Sequence, residues 1–135
     1  MAINIQAQIN TKLVQTKLQA MSLKNRKVSN VSVVYEAYYA IYVHEVPRPP
    51  TSTGTWKYLE GPARDPNNVR YMQFLINQSL KNKESLLRAI TKAARYLLNE
   101  SKRLVPVDTG YLKSSGKVVV GDIGNYVTTA TPQPQ

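Results

Sequence analysis

Apolar side chains recur with two different periods along this chain, and the two periods separate strand-like from helix-like segments. Residues 3–9 alternate apolar and polar side chains, which predicts a strand. The next apolar positions fall at helical spacing and predict a short helix over about 9–21. Valine and tyrosine dominate Val31–Glu45, which favours strand structure. Because that segment is too long for one ordinary strand, we expect a bend near Glu36 and Ala37.

The longest apolar pattern has helical spacing and covers about residues 66–104. Asp65 is suited to cap the N-terminus of this helix, and Pro66 is suited to its first position. The pattern predicts one long amphipathic helix, with Asn82 as the point where it could break. Pro106 should end the helix, because a proline disfavours helical geometry at the residue before it.

Turn-forming residues divide the remaining chain. The three prolines of residues 47–55 exclude a sheet interior and predict an exposed loop. Lys117–Val120 is predicted to be a strand, and 128–135 a flexible tail behind a single domain of residues 1–127. The long helix needs an apolar partner, and the Val/Tyr strands offer the largest one. We therefore expect an α+β fold, with a small, mostly antiparallel sheet packed against one long α-helix, plus a short N-terminal helix or strand.

Composition limits the classes of protein to consider. The chain has 135 residues and a mass of 15.2 kDa, which fits one domain. Its apolar fraction of 42% and charged fraction of 19% argue against global disorder. No apolar run approaches the ~20 residues of a membrane span, and the first residues lack a secretory-signal pattern. The absence of cysteine excludes disulfides and thiolate metal sites.

The formal net charge is +10, and the excess is spread along the chain. Residues 1–60 carry seven Lys/Arg against three Asp/Glu, and residues 61–135 carry eleven against five. The charge permits phosphate contacts, so a small basic nucleic-acid-binding module is one candidate function. However, no zinc-finger spacing, basic zipper or RNA-binding aromatic motif is present. A solvated surface facing acidic partners is the simpler interpretation.

The basic residues of the predicted long helix lie on both sides of its apolar stripe, which is typical of a solvated face. A DNA-binding stripe would place them on one arc. These residues are Lys81, Lys83, Arg88, Lys92, Arg95, Lys102 and Arg103.

The triplet Asp108, Thr109 and Gly110 has two interpretations. Aspartic proteases of the retroviral type carry such a triplet in each subunit, so that two carboxylates share a proton across a dimer. There the triplet follows an apolar strand and precedes a small residue, whereas here it follows a helix and precedes bulky Tyr111. The alternative is structural: Asp108 caps a short helical turn, Gly110 supplies backbone freedom, and Leu112 packs into the core. We favour the structural interpretation.

Two further groups resemble functional sites. His44-Glu45 begins like a zinc-protease helix, but the chain has no second histidine, so we expect no metal. A lone histidine at a strand end is more often an edge or interface residue. Four tyrosines between Tyr35 and Tyr42 could stack on nucleic-acid bases. Tyrosine joins a large apolar ring to a polar tip, so core or subunit contacts are the favoured role.

Two segments together resemble a tailed-bacteriophage family of small head–tail connector proteins, also called neck or tail-completion proteins. The first signature is Tyr39–Glu45, followed after a loop by Lys57–Glu60. The second is Pro106–Leu112, with two serines behind it at 114 and 115. In the family the second signature comes first, so the order here is permuted. The same sheet can form if Lys117–Val120 pairs with the Val31–Glu45 region.

This resemblance implies a non-catalytic virion protein that needs no cofactor. It would form a ring, commonly of six or twelve copies, and lie at the head–tail interface after synthesis in the host cytoplasm. Its other partners would be neighbouring neck, adaptor or tail-terminator and tube proteins, with DNA passing through the ring and no membrane contact. The loop at 47–55 and both termini would be docking arms.

The resemblance and the side chains together give the candidate residues. The structural junction comprises Pro106, Asp108, Thr109, Gly110 and Leu112. The candidate assembly contacts are Tyr39, Tyr42, His44, Glu45, Arg48, Trp56 and Tyr58.

Overall fold

A computed structural model of the chain describes residues 1–9, 29–45, 57–106, 110–121 and 123. Its sheet has three strands: β1 (Ala2–Asn4), β2 (Val31–Tyr35) and β3 (Gly116–Val120). The order is β1-β2-β3 and both pairings are antiparallel, with Val33 of β2 opposite Ile3 on one side and Val118 on the other. The predicted pairing of the Val/Tyr segment with the C-terminal strand is therefore confirmed.

The helices follow the chain in a simple order. Gln6–Gln8 forms a 3₁₀ turn after β1. The α-helices are α1 (Ala40–Glu45), α2 (Glu60–Arg64), α3 (Pro66–Lys81), α4 (Leu86–Lys102) and α5 (Tyr111–Ser114). With α3 and α4 as the two long helices and an antiparallel sheet, the predicted α+β class is confirmed.

Two helices occupy the place of the single long helix that we predicted. The predicted start of the long helix is confirmed: the Asp65 carboxylate accepts the backbone N–H of Asn67 at 2.8 Å, and Pro66 is the first helical residue. The chain then breaks at Asn82, as the pattern allowed. Lys83 adopts a positive φ of 62°, which a helix cannot contain, and Ser85 caps α4 through the N–H of Arg88 at 3.1 Å. The break folds the apolar stripe into a helical hairpin.

Residues 40–45 form α1, so the prediction of strand structure up to Glu45 was wrong. β2 ends at Tyr35, and the expected bend follows it. Ala40 and His44 are four residues apart and both buried, as on one face of a helix. Tyr58 reinforces this turn by donating its hydroxyl to the Ala40 carbonyl at 2.8 Å. These tertiary contacts outweigh the β-propensity of the tyrosines and valines.

The core lies between the sheet and α4. This helix packs on both β2 and β3 through small and medium apolar side chains, Ala93, Ala94 and Leu97 among them. At its C-terminal end, the hydroxyls of Ser101 and Tyr35 share a buried 2.8 Å hydrogen bond. α4 ends at Lys102, four residues before Pro106, so the proline lies beyond the helix and does not set its last residue.

The prediction of a strand at residues 3–9 is partly corrected. The strand is β1 alone and does not extend to Ile9, because Asn4 accepts the Ala7 N–H at 3.0 Å and starts the 3₁₀ turn. The predicted helix at 9–21 lies almost wholly outside the described residues. The predicted loop at 47–55 and the predicted tail at 128–135 lie entirely outside them.

Candidate assembly surface

The two segments that resemble the connector signatures meet in space. β2 and β3 pair so that Tyr35 lies opposite Gly116. Just past this pair, the Glu36 N–H donates to the Ser115 carbonyl at 3.2 Å. The rings of Tyr39 and Tyr111 then lie 6.2 Å apart, centre to centre. Sheet pairing therefore brings both signatures together although their order along the chain is permuted.

Four tyrosines at this meeting point form what we call the aromatic surface: Tyr38, Tyr39, Tyr42 and Tyr111. Tyr38 and Tyr39 occupy the turn before α1, and their rings contact edge to face at 5.1 Å. Tyr38 is 91% exposed and Tyr42 is 68% exposed, while Tyr39 packs partly against the core. Exposed tyrosines are typical of protein–protein interfaces, because their rings offer large contact areas with few rotatable bonds.

His44, which follows Tyr42 in α1, joins α1 to α2. Its side chain is fully buried. Nε2 accepts the backbone N–H of Glu60 at 3.1 Å, and Nδ1 contacts the Glu45 carboxylate. Because Nε2 faces a donor, a neutral ring must carry its proton on Nδ1 and donate it to Glu45. The neutral histidine thus links the helices through hydrogen bonds at both ring nitrogens, one to Glu45 of α1 and one to Glu60 of α2.

The electrostatics agree with a neutral His44. Burial lowers the pKa of His44 below its usual value, although the adjacent Glu45 favours the charged form. Burial would raise the pKa of Glu45, but hydrogen bonds from Lys57 and His44 outweigh it and lower that pKa. The Glu45 hydrogen bond raises the pKa of Lys57. The network therefore places its charge on Glu45 and Lys57 and keeps the buried ring uncharged.

Lys57 and Glu60 complete this network and were not among our predicted site residues. Lys57 adopts a φ of 58° and donates its backbone N–H to the His44 carbonyl at 2.7 Å. Its ammonium group contacts Glu45 at 2.6 Å and Glu60 at 3.1 Å. Two signals in the sequence pointed to them: both lie in the first signature, and the charges at 45, 57 and 60 alternate in sign.

Two predicted assembly contacts are interior residues instead. Tyr58 is fully buried, with its ring edge to face against Tyr35 at 5.2 Å and against His44 at 5.1 Å. His44 is equally inaccessible. Both side chains stabilise the subunit from within, because their polar atoms and ring faces are already occupied by intrachain partners. Of the described assembly candidates, Tyr39, Tyr42 and Glu45 retain accessible surface.

The junction signature also builds local structure. Gly110 adopts a left-handed φ of 80°, and its carbonyl accepts the Ser114 N–H at 3.0 Å to start α5. Leu112 is buried in the core, as predicted, and Pro106 is buried as well. Asp108 and Thr109 lie outside the described residues, so the capping role of Asp108 stays a prediction. Arg48 and Trp56 also lie outside them.

The described residues also bear on the other chemistries that we considered. Among them, no three His, Asp or Glu side chains gather as metal ligands would. A surface cavity of about 350 Å³ lies between α2 and α4, and its charged side chains already have intrachain partners. The cavity is lined by Lys57, Gly61, Pro62, Asp65, Asn68, Glu100, Arg103 and Leu104.

None of the described helices combines the length and apolar character needed to span a membrane.

Comparison with known proteins finds no matching family model, no matching curated protein and no matching solved structure.

Proposed function

We propose that this chain is a structural subunit of a tailed-bacteriophage neck, which joins the head to the tail and lets DNA pass. The observation that carries the proposal is the meeting of its two connector-like signatures at the aromatic surface. The permuted order is no obstacle, because the pairing of β2 with β3 unites the segments. The subunit would form a ring of six or twelve copies beside adaptor or tail-terminator and tube proteins.

The use of the acidic side chains supports a structural role without catalysis. Every glutamate of the chain lies among the described residues, and each forms an ion pair with lysine or arginine. These contacts link neighbouring elements: Lys117 of β3 binds Glu36 at 3.0 Å, and Lys92 of α4 binds Glu84 at 2.6 Å. Carboxylates engaged in this way hold elements in place.

We infer that the aromatic surface is a contact between ring neighbours. Tyr38 and Tyr42 are among the most exposed large side chains described, and the Tyr38 ring contacts Tyr39, which packs partly against the core. An aromatic anchor on a rigid base loses little conformational entropy when it is covered. In a ring each copy offers this surface to a different surface of the next copy, so the contact is heterologous and closes by rotation.

Disruption of the gene in the phage that carries it tests the role in assembly. We expect DNA-filled heads and separate tails in electron micrographs, and restored particles when the wild-type chain is supplied. The double variant Tyr38→Ser/Tyr42→Ser should fold but fail to restore them, because it loses only exposed rings. Val120→Ser, which removes an exposed apolar side chain at the end of β3 and leaves these tyrosines in place, serves as the matched control. Complete infectious particles without the chain would overturn the proposal.

The alternative is a small basic nucleic-acid-binding module, favoured by the net charge of +10. A ring through which DNA slides should not grip it, so the neck proposal expects weak binding that falls steeply with salt. Sequence-specific binding that survives physiological salt would favour the alternative.

A further inference from the structure

The solvent-facing side of α3 carries two aromatic rings where a helix is usually polar. Tyr71 is 44% exposed and Phe74 is 53% exposed. They share this face with Asn67, which precedes them at helical spacing, and with Gln78 and Lys81, which follow at helical spacing. All three are exposed. The core-facing side holds Met72 and Ile76 instead. The two rings therefore contribute little to the core of this subunit.

The rings form a preorganised ridge with one residue of α4. Tyr71 stacks on Phe74 with centroids 5.8 Å apart, and it contacts Tyr96 at 4.6 Å. The Tyr96 hydroxyl donates to the Asn68 side chain at 2.6 Å, which fixes the ridge to both helices. We call Tyr71, Phe74 and Tyr96 the aromatic ridge.

Three exposed cations of the two ridge helices have no carboxylate partner among the described residues, although Arg70 donates a hydrogen bond to the Asn67 side chain. Arg70 precedes Tyr71, Arg95 precedes Tyr96, and Lys81 lies on the ridge face of α3; all three are exposed. No carboxylate of the described residues lies within ion-pair distance of them. The nearby glutamates are already used by Arg88, Lys92 and Arg103.

We propose that the aromatic ridge binds an acidic amphipathic segment of a different protein. Apolar side chains of the partner would cover Tyr71 and Phe74, and its carboxylates would pair with Arg70, Lys81 and Arg95. A second copy of this chain fits poorly, because its net charge is +10 and its glutamates are already in ion pairs. The inference is independent of the neck proposal and concerns a surface separate from the aromatic surface.

The test is an NMR titration of the ¹⁵N-labelled full chain with a synthetic amphipathic helical peptide, leucine on one face and glutamate on the other. We expect saturable amide shifts confined to α3 and α4. Replacing the peptide's glutamates by glutamine, or its leucines by serine, should each weaken binding at least about tenfold, since each change removes one half of the recognition. Absence of saturable binding would overturn the proposal.

Variants of the chain locate the site. Phe74→Ser should weaken binding about tenfold, which corresponds to about 1.4 kcal/mol. Arg95→Glu, an exposed charge reversal that leaves the rings intact, should weaken it as well. Val120→Ser is the matched control and should bind normally, because this exposed side chain of β3 belongs to neither the aromatic ridge nor the aromatic surface. Unchanged binding in both ridge variants would refute the site. Duplex DNA that displaces the peptide and shifts the same amides would assign the ridge to nucleic acid.

Discussion

Gly116 allows a single added methyl group to test how β3 packs on the core. A Cβ at this position would lie 2.7 Å from Cε1 of Tyr35 and 3.0 Å from Cδ1 of Leu98. The tyrosine ring cannot move away freely, because its hydroxyl bonds to Ser101 at 2.8 Å and its ring lies edge to face on Tyr58. Gly116→Ala must therefore loosen at least one of these contacts.

The magnitude follows from two opposing effects. Overpacking a well-filled core costs about 1–3 kcal/mol. Alanine also reduces the freedom of the unfolded chain, which stabilises the fold by about 0.4–1 kcal/mol where the backbone is compatible. Gly116 lies in a regular strand without a positive φ, so that gain applies. The midpoints of the two ranges, about 2 and about 0.7 kcal/mol, leave a net loss, so we expect Gly116→Ala to lower the free energy of unfolding by about 1.3 kcal/mol.

Urea unfolding followed by circular dichroism at a fixed protein concentration measures this change. Asn99→Ala, at an exposed position of α4, is the control, and it should be neutral or slightly stabilising because alanine favours a helix more than asparagine does. If Gly116→Ala proved as stable as the wild type, the close packing of Tyr35 over β3 would be refuted.

Three further predictions concern single side chains. Tyr35→Phe should destabilise by about 1–3 kcal/mol, because it leaves the buried Ser101 hydroxyl without its partner, and most of that loss should disappear in a Ser101→Ala background measured by urea unfolding. The lowered pKa of His44 means that the unfolded chain binds its proton first, so stability should fall as the pH drops below about 6.5, by at most about 1.4 kcal/mol per pH unit. Burial also lowers the pKa of the Met1 ammonium group, which adds a slope of the same sign. In unfolding curves between pH 7 and 5, His44→Gln should therefore reduce the slope relative to the wild type. Asp108→Asn should be nearly harmless and Asp108→Ala should cost about 1 kcal/mol, whereas a proteolytic activity lost with Asp108→Asn would restore the protease interpretation.

Local rules predicted those parts of the fold in which neighbouring residues decide the structure. Asp65 and Pro66 carry a complete helix-start signal, and the chain obeys it. The C-terminal strand and its pairing followed from valine content and from the need to cover the long apolar stripe. The bend after Tyr35 followed from length alone. Each of these features depends on residues close together in sequence or on one dominant apolar surface.

The features that were missed depend on distant contacts. Residues 40–45 have strand propensity, and their helix is stabilised by Tyr58, which lies 18 residues after its partner Ala40. The burial of His44 depends on a hydrogen bond from the backbone N–H of Glu60, and no local sequence pattern indicates that contact. The exposed rings of Tyr71 and Phe74 were foreseeable in part, because a helical projection places both away from the core face of Met72 and Ile76.

The oligomeric state of the purified chain tests the central claim most directly. Native mass spectrometry and sedimentation velocity over a range of concentrations, combined with negative-stain imaging, give the number of copies and show whether they close. The neck proposal predicts a closed ring of six or twelve copies, formed by the chain alone or after addition of its neighbouring neck protein. A chain that stays monomeric under both conditions, and binds a specific DNA sequence at physiological salt, would contradict it.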